Sequence, residues 1–191
     1  MSAVPGFDLG LWNAWWFLAY YMAHPLLMMA LDRDMAKKMG SDEGSSGTRE
    51  RVLMAVLMGS LTAALGYSVG CPLRTGTWWF YLGVPLAVGG LLLFTVAILN
   101  IAHTPLGQPF TTGLYRFSRH PMMIWGCVGL IGAGVAAASW LLLLLVVMSQ
   151  VAYFLGLDAE ERHCLTTYGD AYRTYLERTP KYLGVPHRAV L

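Results

Sequence analysis

Residues 121–157, PMMIWGCVGLIGAGVAAASWLLLLLVVMSQVAYFLGL, are apolar almost throughout. A helix crosses a bilayer with about 20 mostly apolar residues, so this block is too long for one crossing. Ser139 and Trp140 interrupt it near the middle, and it reads as a tight hairpin of two helices over about 122–138 and 140–157. Three other runs are long and apolar enough to span: 9–31, 52–70 and 78–101. The expected fold is therefore all-α and integral to a membrane, with five transmembrane helices.

Composition points the same way. The chain is 56% hydrophobic and only 13% charged, against about 25% charged in an ordinary soluble domain. That leaves too little polar surface to coat a water-soluble globule. The net charge of +2 gives no case for nucleic acid. Cys71, Cys127 and Cys164 are far apart and lack metal-type spacing, so neither a metal site nor a disulfide is expected. No basic segment precedes the first apolar run and no small-residue cleavage site follows it, so the run reads as a retained span rather than a signal peptide. With 191 residues, no repeats and no soluble second domain, residues 1–191 read as a single membrane domain.

Charge asymmetry sets the expected orientation. Arg33, Lys37, Lys38, Arg49 and Arg51 lie between spans one and two. Arg116 and Arg119 lie between spans three and four, and Arg162, Arg173, Arg178, Lys181 and Arg188 follow span five. Only Arg74 falls on the opposite side. The positive-inside rule makes the three basic segments cytoplasmic and puts the N-terminus outside. Trp12, Trp15, Trp16, Trp78 and Trp79 then form an aromatic belt at the outer ends of spans one and three. Gly126, Gly129, Ala133 and Ala136 make a small-residue stripe on span four that suits close helix packing. Residues 40–48, GSDEGSSGT, read as a flexible polar link.

The unusual polarity lies at the cytoplasmic side, in two places. The first is the stretch from His103 to Pro121. In GLYRFSRHPMM, Pro121 suits the first turn of a helix and disfavours helical geometry at His120. Arg119 and His120 are thus expected at the mouth of span four, beside free helix N–H groups that favour an anion. The second place is the segment from Asp158 onward. Asp158 and Glu161 have capping-box spacing, which predicts a new amphipathic cytoplasmic helix starting there. Leu157, Glu161, Cys164, Leu165, Tyr168, Tyr172 and Tyr175 recur at helical spacing, so Glu161 should lie at the buried face and Glu160 about 100° away. A hairpin brings its two ends together. Arginine, imidazole and paired carboxylates would then surround one small cavity, a set that suits a zwitterionic ligand.

These residues carry a resemblance. GLYRFSRHPMM resembles the G-x-Y-x-x-x-R-H-P-x-Y pattern of the isoprenylcysteine carboxyl methyltransferases and the related phospholipid methyltransferases. EERHCLTTYGDAYRTYLERTPKYLGVP resembles that superfamily's tail, and HTPLGQPFTTG its preceding loop. The likeness covers residues 95–186. It implies a five-helix membrane methyltransferase that uses S-adenosylmethionine on the cytoplasmic side, with a prokaryotic inner membrane as the expected location. A lipophilic small molecule or lipid would arrive from the bilayer, with no obligate protein partner. Carried over by position, Tyr115, Arg119, His120 and Pro121 belong to the cofactor pocket, Glu160 and Glu161 close it, and His103 and Gln108 join from the loop. Glu161 or His120 is the candidate proton acceptor. Two departures stand out. Gly156 occupies the position where prenylcysteine-acting members carry an arginine, and Met123 replaces a usual tyrosine. Two other readings share these residues: an NADPH-dependent sterol-reductase-like enzyme, and a non-catalytic protein that binds lipid headgroups.

Overall fold

In a computed structural model of the chain, which describes residues 8–39 and 47–185, every regular element is helical. The helices are α1 (Trp15–Leu31), α2 (Arg33–Met39), α3 (Thr48–Ser68), α4 (Trp78–His103), α5 (Pro121–Ala136), α6 (Trp140–Tyr168) and α7 (Asp170–Arg178), with a short 3-10 turn at Gly113–Arg116. Among the described residues there is no strand, only an isolated bridge between Asn13 and Pro72. Of the polar link read at 40–48, only Gly47 and Thr48 fall within the described residues, where they open α3.

Three helices, α3, α4 and α6, are long and apolar enough to cross a membrane. The expected five crossings are not all met by length: α1 has 17 residues and α5 has 16. The turn residues before Trp15 and after Ala136 shorten them. The elements nevertheless run antiparallel in order. At one end, Ala14 N–H donates to the Cys71 carbonyl at 2.9 Å and Asn13 Nδ2 to the Val69 carbonyl at 2.6 Å. There too, Arg74 N–H donates to the Ala136 carbonyl at 3.0 Å. At the other end, Lys38 Nζ donates to the Ala102 carbonyl at 2.9 Å, and Arg162 pairs with Glu50 at 3.3 Å. The basic segments gather at this second end, and exposed Trp12, Trp16 and Trp78 at the first.

The small-residue stripe works with glycines of α4. A Cβ on Gly90 would lie 2.3 Å from the Gly129 nitrogen, one on Gly132 2.3 Å from the Ala87 nitrogen, and one on Gly83 2.2 Å from the Ala136 nitrogen. The α4 and α5 backbones therefore touch along several turns, the close approach that only glycine permits. Gly126 meets side chains instead of backbone, the Tyr21 ring of α1 and the Phe94 ring of α4. The break between α5 and α6 falls at the expected place. Ala138 turns the chain with φ 49°, and Ser139 Oγ accepts a bond from Leu142 N–H, capping α6.

One expected element is corrected. Asp158 does not cap a new helix: α6 continues without interruption from Trp140 to Tyr168, and Asp158 lies within it. Nothing between Leu157 and Tyr168 breaks a helix, so the side-chain spacing has no free N-terminus to serve, and Asp158 bonds Lys181 instead. The break comes at Gly169, with φ 56° and ψ −129°. The amphipathic helix is α7, which buries Tyr172 and Tyr175 and exposes Asp170 and Arg173. A Cβ at Gly169 would meet nothing within 4 Å, so replacement with alanine tests backbone strain alone. Gly169→Ala is expected to cost roughly 1–3 kcal/mol, read as a lower midpoint in a detergent melt.

Candidate active site at the meeting of two helix ends

The site begins with a turn that has no long helix to hold it. Gly113 has φ 60°, and a Cβ there would lie 2.1 Å from Asn100 Oδ1. Leu114 N–H donates to that same oxygen at 2.9 Å, so the end of α4 fixes the 3-10 turn. The chain then passes through buried Ser118, whose Oγ accepts a bond from His120 N–H at 3.0 Å. His120 has φ −129° and ψ 53°, non-helical as expected before Pro121, and Pro121 opens α5.

This turn meets the extended end of α6. Arg119 Nη1 donates to Glu161 Oε1 at 2.9 Å. His120 Nε2 lies 3.0 Å from the same oxygen. A carboxylate only accepts, so this bond places a ring proton on Nε2, while Nδ1 lies 3.9 Å from Glu160 Oε1. Lys181 Nζ lies 3.9 Å from Glu161 Oε2 while bonding Asp158, and that bond raises the Lys181 pKa. The His120 side chain is 3% exposed, and those of Arg119 and Glu161 are 16% exposed. These bonds are charge-assisted and mostly hidden from water, which strengthens them.

Glu160 behaves differently from Glu161. Its side chain is half exposed, and its nearest basic atom is His120 Nδ1 at 3.9 Å. It lines a cavity of about 1020 Å³ with Tyr115, Arg119, His120, Tyr153 and Tyr172. Leu53, Met54 and Leu57 of α3 form an apolar wall of the same cavity, and Lys37 and Arg51 lie among its lining residues. This volume matches the upper range of ligand pockets, about 300–1,000 Å³. Burial pushes the Tyr115, Tyr172 and Tyr175 phenols above their ordinary value, so they stay neutral hydrogen-bonding groups.

The structure thus brings Tyr115, Arg119, His120, Glu160 and Glu161 together, with Pro121 buried behind them as the start of α5. His103 and Gln108 are exposed and do not line the cavity; His103 Nδ1 contacts the Leu99 carbonyl of its own helix at 2.7 Å. Sequence reasoning missed Asn100, Ser118, Tyr153 and Lys181. Tyr153 alone had a usable signal, since it lies seven residues before Glu160 on one face of a helix.

The donor set fits a zwitterion. Arg119 and Lys181 stand among three carboxylates, Asp158, Glu160 and Glu161, while Lys37, Lys38, Arg51 and Arg162 line the wider cavity. Glu160 faces the cavity among aromatic rings, which favour a cation. Buried Arg119 Nε has no partner among the described residues, leaving a donor for an anionic group.

Residues 78–171 match the family model for phospholipid methyltransferase. No curated protein and no solved structure matches the chain. The matched segment runs from the first residue of α4 into α7 and holds both the Arg119–His120 turn and the paired glutamates, and the match is consistent with the membrane methyltransferase superfamily.

Proposed function

We propose that this protein is an integral-membrane S-adenosylmethionine-dependent methyltransferase, isoprenylcysteine carboxyl methyltransferase-like, that acts on a lipophilic acceptor delivered by the bilayer. The observation that carries this reading is the division of labour between the two glutamates. Glu161 is spent on Arg119 and His120, while Glu160 stays open to a large cavity that is aromatic on one side and apolar on the other. Bound S-adenosylmethionine supplies an electrophilic methyl group on a positively charged sulfur.

Arg119 holds a carboxylate, a role that its unpartnered Nε supports. Glu160 holds an ammonium or ribose hydroxyl, and Tyr115 and Tyr172 close the wall and exclude water. Positioning two reactants in line is the main work such a site must do, and nonpolar walls favour the loss of sulfonium charge. An acceptor that carries a proton gives it to His120 Nδ1, whose orientation Glu161 fixes through Nε2.

The proposed topology has α1 and α5 crossing with α3, α4 and α6, the N-terminus outside, and the site facing the cytoplasm of a prokaryotic inner membrane. The antiparallel helix order and the gathering of basic segments at the site end support it. Labelling of a cysteine placed at Arg178 by an impermeant reagent on intact cells would contradict this orientation.

Calorimetric titration in nanodiscs is expected to show S-adenosylmethionine binding to the unaltered protein. Glu160→Gln should weaken it about tenfold or more, since a charge-assisted contact contributes about 1.5–3 kcal/mol. Absence of binding by the unaltered protein overturns the reading.

A further inference from the structure

The turn that carries Arg119 and His120 is held mainly by residues beyond the matched segment. Four of its polar groups are bound by the segment from α7 to residue 184. Tyr175 Oη donates to the Tyr115 carbonyl at 2.7 Å and lies 3.4 Å from the Ser118 carbonyl. Arg119 N–H donates to the Pro180 carbonyl at 3.1 Å, and Gly184 N–H donates to the Phe117 carbonyl at 3.0 Å. Ser118 Oγ adds a long contact to the Lys181 carbonyl at 3.5 Å.

Between the 3-10 turn and α5, residues 117–120 have no helical ladder of their own. Tyr115, Ser118 and Tyr175 are all buried, so water cannot stand in for a lost partner. Within this strap, the Tyr175 hydroxyl is the one side chain that reaches both ends of the turn. Its effect passes on directly: the Ser118 residue whose carbonyl it approaches also accepts the His120 N–H through Oγ.

We propose that Tyr175 is a positioning residue for the methyl-transfer site, its hydroxyl fixing the Tyr115–Ser118 turn so that Arg119 and His120 meet Glu161 and present their remaining polar atoms to the cofactor. This rests on the methyltransferase reading above. The ring of Tyr175 packs beside Tyr172, with centroids 5.6 Å apart, so Tyr175→Phe keeps the packing and removes only the hydroxyl.

The test uses the full chain in nanodiscs with S-adenosylmethionine as the probe. Tyr175→Phe is expected to raise the dissociation constant and KM for S-adenosylmethionine about fivefold to tenfold. The kcat at saturating cofactor should stay within about twofold, because ground-state and transition-state binding are lost together. Without ligand, amide exchange across residues 114–120 should accelerate, with a modest fall in the melting midpoint from the buried Tyr115 carbonyl left unpaired. Tyr175→Leu, which also loses the ring, should lower the midpoint further.

Unchanged cofactor affinity in Tyr175→Phe, with or without a fall in the melting midpoint, overturns the positioning role and leaves the methyltransferase reading standing. Failure of the unaltered protein to bind S-adenosylmethionine overturns both. Unchanged exchange across 114–120 overturns the latch itself, whatever the affinity.

Discussion

Glu161→Ala is expected to remove measurable S-adenosylmethionine binding, a loss of about a hundredfold or more, and to lower the folded stability as well. Its carboxylate is the common partner of Arg119 at 2.9 Å, His120 at 3.0 Å and, more distantly, Lys181 at 3.9 Å. Removing one member of a buried charged cluster leaves the others unpaired, which costs about 3–5 kcal/mol when burial is complete. The 16% exposure of Arg119 and Glu161 lets some water in and brings the expected cost nearer to 3 kcal/mol. Glu161→Gln should be milder, because it keeps an oxygen for Arg119 while losing the charge. The check is a double-mutant cycle with Arg119→Ala, scored by calorimetric affinity and by the midpoint of a detergent melt. Coupled residues give a double variant less damaged than the sum of the singles. Strict additivity would show that the contact does not organise the site.

The second large effect concerns two neighbouring glycines with opposite outcomes. Gly90→Ala would place a methyl group 2.3 Å from the Gly129 nitrogen, where the clash is with backbone and no side chain can swing aside. The α4 and α5 helices would have to separate, and overpacking of this kind costs about 3 kcal/mol. The melting midpoint should fall by about 6–12 °C for a chain of this size. Gly89→Ala, one residue earlier, meets nothing within 4 Å. It gains only the helix propensity of alanine over glycine, up to about 1 kcal/mol, and should leave the midpoint level or slightly raised. Equal effects at the two positions would contradict the close contact of α4 with α5.

These contrasts show which features were legible in the sequence. Apolar length located α3, α4 and the block divided at Ser139, because burial in hydrocarbon leaves a long compositional trace. The stripe on α5 was visible as small residues, but not the partner of each: Gly129 and Gly132 meet the α4 backbone, while Gly126 meets the rings of Tyr21 and Phe94. Asp158 misled because its spacing to Glu161 is a capping signature only where a backbone begins a helix, and α6 has no interruption there. The true interruption, Gly169, was in plain view as a glycine after Tyr168.

The candidate site divides in the same way. Arg119, His120, Glu160 and Glu161 stand in short local clusters, so a hairpin argument suffices to bring them near one another. Tyr175 and Lys181 act through partners 60 and 23 residues away in the chain. Their roles depend on how the end of the chain folds back over the turn, which neither periodicity nor composition encodes. Asn100 is similar: its contact with Leu114 exists only because the chain reverses after α4.

The unbroken length of α6 has a mechanical consequence. Trp140 and Glu160 belong to one rod, and at 1.5 Å per residue they lie about 30 Å apart along it. A change of about 5° in the rod's tilt moves its far end by about 2.6 Å, close to the length of a hydrogen bond. Arg119 and His120 stand just before α5, which glycine contacts lock to α4, and their turn is strapped by the segment after α7. Lipid acyl-chain length, which adjusts helix tilt, therefore acts as a lever on the gap between these two bodies. Turnover measured across nanodiscs of graded thickness should pass through a maximum, whereas a flat profile would mean that the rod and the locked pair lean as one.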